Sequence, residues 1–376
     1  MAKGKFMYYL RHFFDPDFNY KDLKPKEKED GKMDFYNLGY VQNVIRNQVI
    51  AEFEEISPQE VDKYDDRFIY KEKKFPIGSN CAVNPKNPNQ LISLVNGYVY
   101  YDEDGNISVK NLLNVRGNVD FHTGNIYFVN NVVVHGDVKN GFEVQGNSIL
   151  VKGIVEGAKI KALNSISVEG GVKGENKAIL TAENNIHCRY CENGILLAKR
   201  SILIDRHCLH SNLYVGKNIK IGDKLIGGNI YCGEKILIEG KLGGGFNVPT
   251  ILVLGYDPVD MYKFSNLEMR LEKLHKRLDF LELKRKSKDN PEIVLEIQEI
   301  RKKIKILTKH LNRIASSIRS KNLNNCRVIV RGEIHPGVEI SIGPAYYKVD
   351  EFIKGTTFYF KDGEVNISKF EKLKGY

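Results

Sequence analysis

From Asn125 to Val253 the chain keeps returning to one short pattern: a polar and mostly small residue, an apolar one, any residue, and a second apolar one. It reads Asn125-Ile126-Tyr127-Phe128, Ser148-Ile149-Leu150-Val151, Ser165-Ile166-Ser167-Val168 and Asn185-Ile186-His187-Cys188. It continues as Ser201-Ile202-Leu203-Ile204, Asn218-Ile219-Lys220-Ile221, Lys235-Ile236-Leu237-Ile238 and Thr250-Ile251-Leu252-Val253. The first apolar positions are separated by 23, 17, 20, 16, 17, 17 and 15 residues. A short strand recurring at such a period is one solenoid coil per repeat. Alternation places Ile126 and Phe128, Ile149 and Val151, and their successors on one face of each strand. No single coil can bury that face alone, so each must stack on the next. Helical periods are absent between Gly117 and Pro258, which excludes an alternating α/β fold.

Glycines gather between the strands, as at Gly136, Gly153, Gly170-Gly171, Gly227-Gly228 and Gly243 to Gly245, where corners need close backbone approach or positive φ. Shorter second strands fit there, such as Gly136-Asp137-Val138 and Gly171-Val172. The expected fold is mainly β: a single-stranded parallel β-helix, taken as right-handed, with an antiparallel coiled-coil hairpin inserted in it. The expected divisions are a small N-terminal region without repeats at 1–75, the β-helix at 76–258, the hairpin at 259–321, and a return to the β-helix with a terminal cap at 322–376. The segment Phe6-Met-Tyr-Tyr-Leu-Arg-His-Phe-Phe14 has two readings, an interfacial membrane anchor or packing on the β-helix mouth.

After Pro258 the period changes. Phe264, Leu267, Leu271, Leu274, Leu278 and Leu281 recur at alternating spacings of three and four, and a polar break follows at Lys284–Pro291. Ile293, Ile297, Ile300, Ile304, Leu307, Leu311, Ile314 and Ile318 repeat the spacing, which reads as two seams of a coiled coil. Each arm would reach roughly 40 Å at 1.5 Å per residue. The chain carries a net charge of +10, and residues 259–320 hold 16 Lys and Arg against 9 Asp and Glu, so +7 of it belongs to this segment. The basic runs Lys284, Arg285, Lys286, Lys288 and Arg301, Lys302, Lys303 are the candidate partner-binding residues. They suit acidic protein, a lipid surface or nucleic acid, although a solvated coiled-coil surface explains them as well.

Hydrophobic residues at 42% and charged residues at 28% describe an ordinary folded chain. No apolar run approaches the roughly 18–20 residues that cross a bilayer, and the first residues lack a signal-peptide core. A cytoplasmic protein is expected. Six cysteines are too sparse for a disulfide framework.

The sharpest chemical candidate is a metal site from Cys188, Cys191, His207, Cys208 and His210, which include a C-x-x-C spacing. Against it, Cys188 occupies the second inward position of its coil, as Val168 and Ile204 do in theirs. Cys191 also falls where an apolar residue suits, and buried free cysteine behaves as a small hydrophobe. A spacing of 16 would place Cys191 near His207. Core packing with surface histidines accounts for all five without a metal, so no metal and no cofactor are expected. Nothing supplies an oxyanion hole or an orienting carboxylate for a Cys/His nucleophile. The glycines form neither a phosphate loop nor a dinucleotide turn. An enzyme is not expected. The residues between the inward pairs, Tyr127, Leu150, Ser167, His187, Leu203, Lys220 and Leu237, should face outward in one column. Its large apolar members, Tyr127, Leu150, Leu203 and Leu237, are the candidates for self-association, or for the coiled coil packing back on that wall.

The run Val115-Arg-Gly-Asn-Val-Asp-Phe-His-Thr-Gly-Asn-Ile126, then Val134-His-Gly-Asp-Val138, Gly153-Ile-Val-Glu-Gly-Ala158 and Ser167-Val-Glu-Gly-Gly-Val-Lys-Gly174 stand in a recognisable order. Leu209-His-Ser211, Ile226-Gly-Gly-Asn-Ile230, the coiled coil and Ile334-His-Pro-Gly-Val-Glu-Ile340 complete it. Over roughly residues 75–350 the chain resembles the bacterial flagellar assembly protein A family. That resemblance implies a β-helix core, a role in assembling or placing flagella, and no established catalytic site. A more distant similarity to β-helical polymer-forming and cell-division-inhibitor domains suggests self-association by analogy. The expected function is therefore a non-enzymatic adaptor, a rod presenting a coiled-coil arm and a solenoid wall to protein partners of the flagellar or polar machinery, at the cell pole or flagellar base. A nucleic-acid-binding module using the basic arm is the alternative, and a Cys/His metal-site protein the third.

Overall fold

The computed structural model describes residues 7–29, 31–245, 248–287 and 291–369. Two compact units divide it, Met1–Ala178 and Ile179–Tyr376.

The first unit opens with antiparallel sheets. Met7–His12 pairs with Val49–Ile56 on one side and Ile69–Tyr70 on the other, and Val49–Ile56 continues to Asn87–Ser93 and Cys81–Asn84. Alternation along Met7–His12 turns Leu10 inward opposite Phe53, where it is fully buried with Ile50, Leu91 and Ile107. The segment from Met7 is thus a core strand, and the anchor reading falls; Phe6 lies outside the described residues. A second antiparallel sheet joins Asn43–Val44, Gly97–Tyr101 and Ile107–Lys110. His12 is enclosed by these elements. Its Nε2 lies 2.7 Å from the Tyr101 hydroxyl, and its ring packs edge-on against Phe68 and Phe14. Burial, helped by nearby Arg67, pushes its pKa down to about 4.

The parallel ladder starts at Leu112–Val115, which pairs with Asn131–Val134. That is later than the boundary expected at residue 76, because residues 81–110 pair antiparallel with the N-terminal strands. Alternation and glycine content are the same in both arrangements; strand direction is set by distant partners that local sequence does not report. Each full coil then has three short strands, as in Ile149–Val151, Ile154–Glu156 and Lys159–Ala162. Ile149–Val151 stacks in register on Ile166–Val168, and Ile154–Glu156 on Gly171–Lys173. At one corner Gly117, Gly136, Gly153 and Gly170 follow one another from coil to coil, each amide bonding to the carbonyl of the last. A Cβ on Gly153 would meet the Gly136 carbonyl oxygen at 2.5 Å. Gly117 begins the column and has open space there.

In the second unit the three strands per coil build three inner columns. Ile186, Ile202, Ile219, Ile236 and Val328 form one. Cys191, Cys208, Leu225, Leu242 and Ile334 form the second. Leu180, Leu196, Leu213, Ile230, Leu252 and Ile340 form the third. All are essentially inaccessible. Two helices interrupt the coils, α1 (Pro258–Ser287) and α2 (Pro291–Ser317). Beyond them Arg327–Ile334 and Val338–Ile342 resume the parallel ladders. Both ladders then turn antiparallel, through Ile353–Lys361 with Glu364–Lys369 and through Ala345–Lys348. Among the described residues no helix is long and apolar enough to cross a membrane.

Two outcomes follow from the first unit. Gly153→Ala should cost about 1–3 kcal/mol by forcing the corner apart, while Gly117→Ala should be neutral; chemical denaturation of the two variants checks this. His12 has a folded pKa depressed from its usual 6.5 to about 4, so the unfolded chain binds the proton first as pH falls. Stability from this group is complete above about pH 6.5 and is lost towards pH 4. Melting temperatures across that window should show the decline, and His12→Gln should flatten it.

Candidate functional site

The cysteines and histidines proposed as metal ligands lie on opposite sides of the coil wall. Cys188, Cys191 and Cys208 alternate inward and are fully buried. The in-register partner of Cys191 is Cys208. His207 meets Cys191 only through its backbone carbonyl, which accepts the Cys191 amide at 3.0 Å. Its ring turns outward, stacks on Tyr190 at 5.2 Å and places Nε2 2.9 Å from Glu192. His210 sits exposed at a corner with φ of 47°, and His187 bonds Asp205 on the outer surface. Among the described residues no three His, Cys, Asp or Glu side chains converge on a metal position. Alternation is the reason: residues one apart in a strand cannot share a face.

Burial fixes the chemistry of the thiols. It raises Cys188 well above the usual thiol range, and Cys208 is raised by its hydrogen bond to Cys191 and by burial. Cys191 also donates to the Ser211 hydroxyl at 3.4 Å, which donates in turn to the Leu209 carbonyl at 2.8 Å. Cys232, against the corner carbonyls of Lys217 and Lys235, is pushed up to about 12. Cys191 is shifted the opposite way, downward, chiefly by its hydrogen bond with Cys208. All four are core side chains.

The outward column is partly as expected. In the second unit His187, Leu203, Lys220 and Leu237 stand in register and Ile329 extends them. In the first unit Leu150 neighbours Ser167. Tyr127 does not belong to this column; it pairs with Gln145 in a different ladder. The long first spacing of 23 residues is the trace of that difference in the sequence. Leu203 is 37% exposed, while Leu150 and Leu237 are half-buried. Lys220 reaches Glu239, which Arg331 also holds at 2.9 Å, so charge divides the apolar wall.

The helices pack along the seam read from the sequence. Leu281, Ile293, Ile297 and Ile300 form its buried centre, with Leu274, Leu278 and Ile304 against them. Arg277 binds Glu296 and Arg301 binds Glu282, each at 2.8 Å, so two ion pairs bridge the helices. Lys303 lies 3.9 Å from Glu299. Lys284, Arg285 and Lys302 are exposed; the Lys286 side chain and Lys288 lie outside the described residues. The root of α1 leans on the third-strand wall, not on the Leu203 column. Tyr262 packs edge-on against Tyr214 at 5.2 Å, and the Ser265 hydroxyl donates to the Tyr231 hydroxyl at 3.3 Å. Tyr214 and Tyr231 stack in successive coils at 4.9 Å. Sequence reading missed this wall, whose outward tyrosines are its signal.

A three-stranded coil, glycine corners and helices entering between two stacked coils define a particular kind of solenoid. Residues 111–365 match the family described as Flagellar Assembly Protein A beta solenoid domain. The chain belongs to that family. No curated protein and no solved structure matches it. The family ties the chain to flagellar assembly, and its matched span begins where the parallel ladder begins.

The thiol assignment has a direct check. The purified chain should contain well under one zinc per molecule by elemental analysis, with or without Cys191→Ser. Its six thiols should react with iodoacetamide only as fast as the chain unfolds.

Proposed function

We propose that the chain is a non-enzymatic adaptor in bacterial flagellar assembly or placement. It works in the cytoplasm at the pole or flagellar base, with the helices as an antiparallel coiled-coil arm that engages protein partners. The observation that carries this reading is how the insertion joins the solenoid. Thr250–Leu254, before the helices, pairs in register with Val338–Ile342 after them. Lys235–Ile238 pairs likewise with Arg327–Val330. At the junction the Lys321 amide donates to the Gly255 carbonyl at 2.7 Å. The ladder closes as if the helices were not there. An element of 57 helical residues that the scaffold does not need is best understood as what the scaffold displays.

Charge pairing favours a protein partner over a polyanion. Arg277, Arg301, Lys276 and Lys303 each have a glutamate neighbour on the arm, which lowers the field available to phosphates. Leu203, Leu237 and Ile329 supply an apolar wall for a second copy of the chain, with Lys220 and Glu239 setting its register.

Replacing residues 260–320 with a short Gly/Ser linker should leave a cooperative, β-rich fold, since the ends already meet. In the parent bacterium it should sharply reduce the fraction of flagellated cells. Normal flagellation by a folded linker variant sinks the arm's role in recognition. If flagellation is normal and RNA retention in lysates falls, the arm is a nucleic-acid binder. Light scattering on the same two proteins reports self-association; a monomer in both rules out the Leu203 wall as a dimer face.

A further inference from the structure

The first unit contains a cavity of about 620 Å³ that neither the arm nor the coil wall uses. It lies between the loops at 18–20 and 40–42, the strand Gly97–Tyr101, and the passage from Ile107–Lys110 into the first solenoid strand. Its size falls in the range of small-molecule and cofactor clefts. Alternation along Gly97–Tyr101 puts Tyr98 and Tyr100 on one face, 5.5 Å apart. Tyr20 and Tyr40 face each other across the loops, also at 5.5 Å. Lys110 Nζ stands 4.6 Å over the Tyr100 ring, and Arg116 completes the lining. Among the described residues no carboxylate lines the cavity.

Four features set its chemistry. Aromatic faces are available, because Tyr20 is 41% exposed at the rim while Tyr40 is 8% exposed at the base. Polar groups are unspent: among the described residues the hydroxyls of Tyr20, Tyr40 and Tyr98 have no hydrogen-bond partner and Arg116 has no ion pair. These groups converge. Burial, reinforced by neighbouring Tyr20 and Tyr98 and opposed by the Arg116 guanidinium, pushes the Tyr40 hydroxyl up to about 12. Finally, the two cations are uncompensated within the lining, unlike the paired charges of the arm. Tyrosine faces beside lysine and arginine are how proteins hold unpaired bases, with stacking for the base and cations for the phosphate. An acidic peptide would satisfy the cations and leave the faces empty. A proline-rich segment would use the faces and leave the cations unpaired.

We propose that this tyrosine-lined cavity binds an unpaired nucleobase bearing a phosphate, as a free nucleotide or as part of a single strand. The base stacks on the Tyr20 and Tyr98 faces, the Tyr40 and Tyr98 hydroxyls donate to phosphate or base edge, and Arg116 pairs with the phosphate. A duplex offers no free base face and does not enter.

The test uses the full chain and fluorescence anisotropy of a labelled single-stranded octanucleotide, with unlabelled AMP, the matching duplex and an octaglutamate peptide as competitors. The octanucleotide should bind, and the duplex and octaglutamate should compete at least tenfold more weakly. Competition by AMP identifies a nucleotide site, and binding of the strand alone identifies a strand site; both support the proposal. Tyr20→Ala, at the exposed rim where folding is insulated from the change, should weaken binding about 5- to 100-fold, the effect of one lost stacking contact. Tyr20→Phe should retain it. Arg116→Ala should weaken binding and reduce the salt slope by about 0.7. Absence of binding to both probes overturns the proposal, as does octaglutamate competing as well as the strand. Loss on Arg301→Ala with none on Tyr20→Ala or Arg116→Ala would move binding to the arm and overturn it too. Tyr20 and Arg116 lie outside the helical insertion, so failure of their variants is separable from failure of the adaptor reading.

Discussion

Every coil of this protein is held by the same demand: its apolar side chains must lie directly over those of the coil before it, because the only dry surface available is the neighbouring coil's interior. Ile202 over Ile186, and Ile219 over Ile202, satisfy that demand while the backbone between them pairs in a parallel ladder. Full burial of such a side chain contributes about 1.5–3 kcal/mol, and a slip of one residue would turn an entire strand's apolar set outward. The corner glycines follow from the same spacing. Ladders hold adjacent strands about 4.8 Å apart, so a coil whose corner backbone runs directly beneath the next has no room for a Cβ. The buried cysteines belong to this logic as well, occupying column positions that leucine and isoleucine fill elsewhere.

The part of the fold legible in the sequence was the part with one inward residue at each end of a two-residue alternation. Ile166 and Val168, or Ile219 and Ile221, declare themselves in that way. The third strand of each coil does not. In Ile179-Leu180-Thr181-Ala182 and Ile195-Leu196-Leu197-Ala198 the inner residues are Leu180 and Leu196, each beside a half-buried isoleucine, so neighbouring positions are both apolar and the period is blurred. Tyr127 was assigned to the wrong wall because its tetrad has the right local form in a different ladder. Residues 81–110 were counted with the solenoid for a related reason: glycine- and asparagine-rich turns such as Asp102–Asn106 look alike whether the strands they join run parallel or antiparallel.

The candidate sites divide along the same line. The arm was legible because a 3.5-residue seam is a local signal, and its buried centre at Leu281, Ile297 and Ile300 falls on that seam. The tyrosine cavity was not legible, since Tyr20, Tyr40, Tyr98 and Arg116 are far apart in the chain and none carries a motif. The metal candidate, set against core packing in the sequence, shows what spacing alone leaves out. Residue types and spacing were right for ligation, but Cys191 and His207 point to opposite sides of a wall one strand thick.

A parallel ladder also dictates where anything new can be added. Coils spaced by hydrogen bonds cannot accept an extra layer without losing the columns, so an insertion must leave sideways at a corner and return to the same corner. Gly255, with φ of 86°, makes that exit, and the bond from the Lys321 amide to its carbonyl marks the return. Once outside, the inserted chain no longer has a coil to lie on and must supply its own partner. Two helices burying Leu281 against Ile293 and Ile297 are the smallest element that does so. Tyr262 and Ser265 rest the root of α1 on Tyr214 and Tyr231, which ties the exit direction to a defined wall. The division between an apolar stack that cannot vary and an excursion that can follows from the ladder itself.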